Sequence, residues 1–379
     1  MSKLEVIATS TFGLEAVVKR EVESLGYPIL SSENGKITYM TDERGVVRSN
    51  LWLRCADRVL IKLAEFHAKT FEELFQQVKA IAWEQWFTFD SRIVVTGTSV
   101  KSQLHSVPGC QSIGKKAIIE RLAETYAVSE FPEIGAEFVV KLTLLKDRVT
   151  VTLDTSGAGL HKRGYRVKNV PAPIKETLAA GLLYLSVWRK DKPLTDPFCG
   201  SGTIAIEAAL MARNIAPGGS RNFAAESWEC IPKKLWKEER RRAFAAIDYD
   251  TELNILGTDI DKRAIFAARE NAIEAGVEDS IKFKVMNAQS VELRGNYGVL
   301  VTNPPYGERI GDKAKLGKLY DMLAKKQQAN PTWSIYVITA DKSFEETFGN
   351  AARRRKLFNG MIETCYYQNP GIKPVKRVK

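Results

Sequence analysis

The chain has 379 residues, and its 56 lysines and arginines exceed its 45 acidic residues to give a formal net charge of +11. At about 100–200 residues per domain this length predicts two or three domains, and the basic balance favours nucleic acid as a partner through counterion release. No apolar run approaches the roughly 18 residues of a membrane span, and five scattered cysteines form no Cys-x-x-Cys pair. We therefore expect a cytoplasmic protein without membrane partner, disulfide or metal site, and the oligomeric state stays open.

The first 160 residues carry a mixed pattern of strands and helices. The hydrophobic face of the first helix runs to Leu25, and Gly26 is expected to end it at the C-cap. The predicted elements are the strands Leu4–Ala8, Lys36–Met40 and Arg92–Gly97, the helices Gly13–Leu25 and Phe71–Ile81, and a hairpin of Glu137–Leu145 with Arg148–Leu153.

Two basic stretches are candidate contacts to nucleic acid. A helix beginning near Ser112 is predicted to carry Lys115 and Lys116 in its first turn, where a phosphate contact and a solvated surface are equally plausible. The stretch His161–Arg166 combines positive charges with one aromatic residue. We expect it to link two domains and to contact nucleic acid through Lys162, Arg163 and Arg166.

The second half alternates strands and helices regularly, which predicts a doubly wound parallel sheet. Residues 213–250 interrupt the alternation, and Asn359-Gly360 predicts a terminal antiparallel hairpin. The predicted helices are Ile174–Trp188, Thr203–Ala212 and Lys262–Ala275, and the predicted strands are Pro193–Asp196, Leu253–Thr258, Ile281–Val285, Gly298–Thr302 and Ser334–Thr339.

A glycine-containing loop, Asp196-Pro197-Phe198-Cys199-Gly200-Ser201-Gly202-Thr203, lies between the first of these strands and its helix. The glycines allow close approach of a ligand, and the helix start offers free N–H groups to a carboxylate. The loop is neither a Walker loop nor Gly-x-Gly-x-x-Gly. Asp259 closes the next strand and could accept both hydroxyls of a ribose, although Asp196 and Asp259 could equally be helix N-caps. Cys199 could be a nucleophile, but no histidine is near it in sequence.

The stretch Asn303-Pro304-Pro305-Tyr306-Gly307 follows a short apolar strand. Two prolines make a stiff corner that holds an amide, two carbonyls and an aromatic ring at the strand's carboxyl end. Such a corner suits an enzyme that holds a planar base by its exocyclic amine. A plain turn between strand and helix is the alternative.

Together these two motifs resemble the S-adenosylmethionine-dependent methyltransferases that act on exocyclic amines of bases. The most similar group is the THUMP-domain RNA guanine-N2 methyltransferases. Phe12-Gly13-Leu14-Glu15 resembles that family's N-terminal ferredoxin-like piece, and His161–Arg166 resembles its linker. The chain looks like the N-terminal half of the family's long fused large-subunit rRNA enzyme.

This resemblance implies a ferredoxin-like part (1–50), a THUMP RNA-binding domain (51–160), a linker (161–173) and a class I methyltransferase domain (174–379). The last is implied to be Rossmann-like, with a mostly parallel seven-stranded sheet and a terminal antiparallel hairpin. The region before it is implied to be α+β.

The resemblance also implies site residues. Asn303, Pro304, Pro305 and Tyr306 would be catalytic. Related enzymes usually place an aspartate beside the adenine, where this chain has Asn287-Ala288. S-adenosylmethionine, converted to S-adenosylhomocysteine, would be bound by Asp196, Pro197, Phe198, Cys199, Gly200, Ser201, Gly202, Thr203, Asp259, Ile260, Asn287, Ala288 and Asn303.

The implied substrate is a guanosine of 23S rRNA, free or in a pre-ribosomal particle, contacted by Lys115, Lys116, Lys162, Arg163 and Arg166. Three alternatives remain open at this point. A tRNA guanine-N2 enzyme is the nearest, and a DNA adenine-N6 enzyme shares Asn-Pro-Pro-Tyr. An RNA-binding factor that uses the cofactor only structurally would have no need of Asn303 and Tyr306.

Overall fold

A computed structural model describes residues 3–128, 130–168, 173–305 and 312–373, and the side chains of all of these except 312–315. The described residues form two compact units. Unit 1 comprises Met1–Thr9, Lys19–Leu160 and Arg221–Arg242, and unit 2 comprises Ser10–Val18, His161–Ser220 and Ala243–Lys379. Each unit is thus built from segments that are distant in sequence.

Unit 1 contains a seven-stranded sheet with the order β2-β3-β1-β4-β7-β6-β5. Its pairings are antiparallel between β1 and β3, β2 and β3, β4 and β7, and β6 and β7, and parallel between β5 and β6. The strands are β1 (Leu4–Ser10), β2 (Ile29–Glu33), β3 (Lys36–Thr41), β4 (Ala56–His67), β5 (Arg92–Val100), β6 (Glu137–Leu145) and β7 (Arg148–Asp154).

Four helices accompany these strands in the chain: α1 (Glu15–Ser24), α2 (Glu43–Trp52), α3 (Phe71–Lys79) and α4 (Val107–Tyr126). The C-cap prediction for α1 is confirmed, because Gly26 has φ +86° and the Tyr27 N–H donates to the Val22 carbonyl at 3.3 Å. The predicted start of α4 is wrong. Ser106 caps this helix, so Lys115 and Lys116 lie in its middle and not in its first turn.

Residues 221–242 pack in unit 1. The buried Arg221 guanidinium donates to the carbonyls of Ala158 (2.6 Å) and Gly159 (2.7 Å). Trp228 stacks on Phe138 with ring centroids 4.3 Å apart.

Unit 2 contains a second seven-stranded sheet, with the order β10-β9-β8-β11-β12-β14-β13. The first five strands run parallel and the last two form an antiparallel hairpin, so the predicted Rossmann-like fold and its Asn359-Gly360 turn are confirmed. The strands are β8 (Leu194–Asp196), β9 (Ile255–Asp259), β10 (Lys282–Val285), β11 (Val299–Thr302), β12 (Ser334–Thr339), β13 (Arg353–Asn359) and β14 (Ile362–Asn369).

The central strands β8, β11 and β12 are buried along their whole length, as expected of strands covered on both faces. None of the helices in the described part of the chain is both long and apolar enough to cross a membrane. The remaining helices are α5 (Glu176–Leu185), α6 (Thr203–Ala212), α7 (Lys233–Ala245), α8 (Lys262–Glu274), α9 (Asp312–Ala329) and α10 (Phe344–Phe348), with α7 beginning in unit 1.

The segment Ser10–Val18 packs in unit 2. Gly13 has φ +92°, its carbonyl accepts a hydrogen bond from Arg355 (2.9 Å), and an added Cβ would lie 2.6 Å from the Lys356 carbonyl oxygen. The buried Leu14 side chain packs on Gly181. Packing within unit 2 thus accounts for the Phe12-Gly13-Leu14-Glu15 motif.

Candidate active site

The strand order of unit 2 reverses between β8 and β11, which is the position where open α/β sheets bind ligands beyond the carboxyl ends of their strands. Asp196 ends β8 and is 1% exposed. Its carboxylate accepts hydrogen bonds from Thr302 Oγ1 at the end of β11 (2.6 Å) and from the Phe198 N–H (3.2 Å). Burial, assisted by the charge of Asp259, raises the pKa of Asp196 to about 7.

The loop that follows Asp196 is fixed by backbone hydrogen bonds. The Cys199 N–H donates to the Thr258 carbonyl (2.9 Å), and the Gly202 N–H donates to the Cys199 carbonyl (2.8 Å). Gly202 has φ +83°, and a Cβ there would lie 2.9 Å from the Phe283 ring. Glycine is needed here for both backbone conformation and packing, and it leads directly into α6.

Asp259 ends β9 and anchors the same loop. Its carboxylate accepts hydrogen bonds from the Gly200 N–H (3.0 Å) and the Asp261 N–H (2.9 Å). Asp261, not Asp259, caps α8, and Gly202 holds the N-cap position of α6. The structure thus removes the helix-cap alternative for both Asp196 and Asp259. Ile260 beside Asp259 is 71% exposed, which leaves an apolar surface next to the carboxylate.

Asn287 and Ala288 follow β10 at the same sheet edge, where the Met286 N–H donates to the Asp259 carbonyl (2.9 Å). The side chain of Asn287 accepts from the Gln289 N–H (2.9 Å), and Ala288 is buried. Lys326 of α9 holds the next turn by donating to the carbonyls of Gln289 (3.0 Å) and Val291 (2.6 Å). Hydrogen bonds therefore hold the turn that begins at Asn287 in place at this edge of the sheet.

The corner at the end of β11 is the neighbour of Asp196 across the sheet. Asn303 is half-buried, Pro304 is buried and Pro305 is exposed. Because Thr302 donates to Asp196, the corner and the glycine loop are joined at the topological switch point. Tyr306, together with Gly307, Glu308 and Arg309, lies outside the described residues.

Cys199 does not have the environment of a nucleophile. The residue is 7% exposed, and burial raises the pKa of its thiol well above the usual value, with the charges of Asp196 and Asp259 acting in the same direction. A thiol in that setting stays protonated at neutral pH, whereas reactive cysteines need a lowered pKa. Among the residues that the structure describes, no three His, Cys, Asp or Glu side chains are grouped to hold a metal ion.

The five basic residues predicted to contact RNA have different environments. Lys115 pairs with Glu133 (2.7 Å), and the Lys116 ammonium lies 5.6 Å from the Phe75 ring centroid. Lys162 is exposed.

Two of the basic residues are held inside unit 2. Arg163 is 3% exposed and pairs with the fully buried Glu207 (3.4 Å), so a direct phosphate contact by Arg163 is excluded in this structure. Arg166 is 15% exposed and donates to Glu176 (2.7 Å). This internal bonding competes with any contact between Arg166 and RNA.

Comparison with known protein families supports this architecture. A family model described as "RMKL-like, methyltransferase domain" matches residues 163–368, which is more than half of the chain. Models of the "RlmL ferredoxin-like domain" and of the "THUMP domain" match residues 5–60 and 68–154. The chain belongs to this family of THUMP-containing, RlmKL-like methyltransferases.

Individual relatives agree with this membership. The "Putative RNA methyltransferase YpsC" of Bacillus subtilis (strain 168) is 49% identical over 371 residues, covering 97% of this chain and 96% of that protein. The "Ribosomal RNA large subunit methyltransferase K/L" of Syntrophotalea carbinolica is 33% identical over 95% of this chain. The match covers 52% of that protein, so the chain spans about half of its length.

A solved structure resembles the whole chain. SMU.472, described as a "putative methyltransferase complexed with SAH", has 42% sequence identity and a TM-score of 0.94, covering 99% of this chain and 100% of its own. The expected family, the ferredoxin-like and THUMP regions and the Rossmann-like domain are thus confirmed for this methyltransferase.

Sequence reasoning missed several residues that shape this methyltransferase site. Thr302, Asn271 and Lys326 each bond to a loop at the sheet edge. A signal was available for Asn271, which is the one polar residue among the alanines and isoleucine on the buried face of α8 as the structure describes it. No local pattern points to Lys326, because its partners are backbone carbonyls about 35 residues away.

Proposed function

We propose that this methyltransferase transfers a methyl group from S-adenosylmethionine to the exocyclic N2 amine of a guanosine, in large-subunit ribosomal RNA. The observation that carries the proposal is the hydrogen bond between Thr302 and Asp196, because it places the Asn303 corner and the glycine loop at one switch point. The family membership, the THUMP match, the relative named for large-subunit rRNA and the SAH bound to SMU.472 support it.

The residues at the sheet edge fit the proposed cofactor. Asp259 offers carboxylate oxygens for the ribose hydroxyls, and the exposed Ile260 and the turn at Asn287 offer a flank for a planar adenine. The glycine loop allows the backbone to approach the methionine portion closely. When bound there, S-adenosylmethionine supplies a methyl group on a sulfonium, already activated for transfer without a metal.

The protein itself accepts hydrogen bonds from the substrate amine and orients this amine toward the methyl group. The N2 lone pair of guanine is delocalised into the ring and is a poor nucleophile. The Asn303 side-chain oxygen and the Pro304 carbonyl can accept hydrogen bonds from the two N–H groups of this amine. These hydrogen bonds favour a more tetrahedral nitrogen. Tyr306 is predicted to stack on the base, which must leave its own stack to enter. Holding the amine in line with the methyl carbon supplies much of the rate.

The test is nucleoside mass spectrometry on separated rRNA, tRNA and genomic DNA from wild-type cells, from cells lacking the protein, and from cells complemented with wild type or Asn303→Ala. We expect N2-methylguanosine to fall in large-subunit rRNA and to return only with wild type. Loss of N2-methylguanosine from tRNA would correct the substrate alone. Loss of N6-methyladenine from DNA alone would overturn the proposal, and no loss of any methylated nucleoside would favour a non-catalytic RNA-binding factor.

A further inference from the structure

Arg166 reaches from the predicted linker to the glycine loop. Its guanidinium donates to Ser201 Oγ (3.3 Å) and to Thr203 Oγ1 (3.1 Å), both within the loop. The same group also donates to Glu176 Oε1 (2.7 Å) and to the Ile174 carbonyl (3.0 Å) at the start of α5. One planar cation therefore ties the loop to the helix that precedes β8, which a lysine could not do with a single nitrogen.

Asn271 of α8 makes a second connection between the same two segments. It is 1% exposed, and its side-chain oxygen accepts from the backbone N–H groups of Val167 (3.0 Å) and Lys168 (3.1 Å). Its side-chain nitrogen donates to the carbonyls of Lys168 and Ser201, at 3.2 Å each. Every polar atom of this amide is used, so Asn271 holds residues 167–168 beside Ser201.

Backbone hydrogen bonds fix the loop up to Gly202, but the start of α6 has no side-chain cap. Gly202 occupies the N-cap position of α6 and has no side chain with which to cap the helix. Gly200 and Gly202 both have positive φ values (+52° and +83°), a conformation that glycine adopts but does not enforce. Arg166 bonds to the side chains of Ser201 and Thr203, and Asn271 bonds to the Ser201 carbonyl, so both residues are also restricted from outside the loop.

We propose that Arg166 and Asn271 are positioning residues for the cofactor loop, and that Arg166 serves the cofactor site and not the RNA surface. The proposal rests on the proposed function, because it assumes that the loop binds S-adenosylmethionine. Removing either side chain widens the range of loop conformations and lowers the fraction that can bind. Cofactor affinity then falls while the Asn303 corner keeps its chemistry.

The test measures S-adenosylhomocysteine binding to the full chain by calorimetry, for wild type, Arg166→Gln, Arg166→Lys and Asn271→Asp. We expect Arg166→Gln to weaken binding by about tenfold and to raise KM for S-adenosylmethionine with little change in kcat. Arg166→Lys keeps the charge beside Glu176 and should bind with intermediate affinity. In Asn271→Asp the amide nitrogen becomes an oxygen that faces two carbonyls, so affinity should fall as well.

Arg213→Gln is the matched control, because Arg213 lies at the other end of α6. It makes comparable hydrogen bonds, to Ser280 Oγ (3.0 Å) and to the carbonyls of Asp248 (3.2 Å) and Tyr249 (2.6 Å). We expect a similar fall in thermal stability without a change in S-adenosylhomocysteine affinity. An equal loss of affinity in Arg213→Gln would mean that Arg166 acts only through general stability.

A double-mutant cycle decides whether Arg166 acts through the loop. Thr203→Val removes one acceptor, and its effect on S-adenosylhomocysteine affinity should not add to that of Arg166→Gln. Additive effects, or an Arg166→Gln affinity within twofold of wild type, would overturn the positioning role. Weakened RNA binding with unchanged S-adenosylhomocysteine affinity would return Arg166 to the RNA surface.

Two further results separate the possible failures. If Arg166→Gln does not fold, Arg166→Lys carries the test, since unchanged S-adenosylhomocysteine affinity in that variant would contradict the need for a branched donor. If wild type itself binds no S-adenosylhomocysteine, the proposed function fails and the positioning role with it. Wild-type binding beside unaffected variants would overturn only the positioning role.

Discussion

The two units handle polar groups in different ways. In unit 1 many charged residues pair at the surface, as in Lys115 with Glu133 (2.7 Å) and Arg121 with Glu84 (2.6 Å), where each pair contributes about 0–1 kcal/mol. In unit 2 the polar groups of four strands converge on one sheet edge around Asp196, which is 1% exposed. Many exchangeable contacts suit capture of a large polyanion, whereas a few fixed groups suit chemistry. Single substitutions should therefore act strongly around Asp196 and weakly at these surface pairs.

The largest effect is expected for Asn303→Ala. Its side-chain oxygen is proposed to accept from the substrate amine while the methyl group transfers, so we expect kcat to fall by about a thousandfold, comparable to removing one preorganised group from an oxyanion hole. Affinity for S-adenosylhomocysteine should stay within a few-fold of wild type. Single-turnover methylation of RNA and calorimetry with S-adenosylhomocysteine measure the two quantities separately.

Asn330→Ala is the matched control for that substitution, because Asn330 bonds to the Lys326 carbonyl (2.9 Å) before the start of β12, at the opposite edge of the sheet. It should leave kcat unchanged. If affinity for S-adenosylhomocysteine falls as far as turnover in Asn303→Ala, then Asn303 serves the cofactor and not the substrate.

The next effect is a pH dependence that Asp196 imposes on unit 2. Its pKa of about 7 lies above the unfolded value near 4, so the folded state binds the extra proton between these values. The stability that this proton contributes is complete below about pH 4 and is lost as pH rises through 7. At about 1.4 kcal/mol per pKa unit, the difference is on the order of 4 kcal/mol.

Asp196→Asn keeps an oxygen for Thr302 and Phe198 and removes the titration. Urea unfolding of both proteins at pH 5 and pH 8.5, followed through unit 2, should show wild type losing stability relative to the variant at the higher pH. Parallel pH profiles for the two proteins would mean that the Asp196 carboxyl is not the group that titrates.

Asp259→Ala is expected to weaken S-adenosylmethionine binding by at least about tenfold. The variant loses the carboxylate oxygens that are proposed to accept from two ribose hydroxyls, and hydrogen bonds to a charged group contribute roughly 1.5–3 kcal/mol each. The substitution also removes the carboxylate to which the Gly200 N–H donates a hydrogen bond (3.0 Å). Calorimetry with the cofactor measures this loss.

Asp261→Ala provides the comparison, since Asp261 is an exposed aspartate two residues away that caps α8. It should cost about 1 kcal/mol of stability without weakening cofactor binding. A folded Asp259→Ala protein with wild-type affinity would remove Asp259 from the cofactor site.

The contrast between the units also explains what the sequence could predict. Buried parallel strands such as β11 are short apolar runs, and Asn359-Gly360 is a local turn signal. The order of elements in unit 2 could therefore be predicted from the sequence. The start of α4 was missed although Ser106 and Pro108 form a local start signal. That error placed Lys115 at a helix terminus.

Long-range packing left no local signal to read. Trp228 stacks on Phe138 across 90 positions of sequence, and Leu14 packs on Gly181, so neither segment could be assigned to its unit from patterns nearby. Arg163 looked like a phosphate contact because its partner Glu207 is 44 residues away. The motifs of the site were recognisable, whereas the residues that brace them depend on the tertiary structure.

The smallest effects are expected for the basic residues that remain candidates for RNA contact. Lys115→Gln, Lys116→Gln and Lys162→Gln should each reduce the log–log salt slope of RNA binding by at most about one unit per lost phosphate contact, with no change in cofactor affinity. Lys162 should show a larger effect than Lys115, because Lys115 must first leave Glu133, which it contacts at 2.7 Å.

Lys79→Gln is the charge-matched control, since Lys79 is already held by Glu120 and Glu124 at 2.7 Å each. A slope change in Lys79→Gln equal to that of the three test variants would show that net charge alone attracts the RNA. Unchanged slopes in all four variants would place the RNA surface elsewhere, and the exposed Arg241 and Arg242 at the end of α7 would be the next residues to replace.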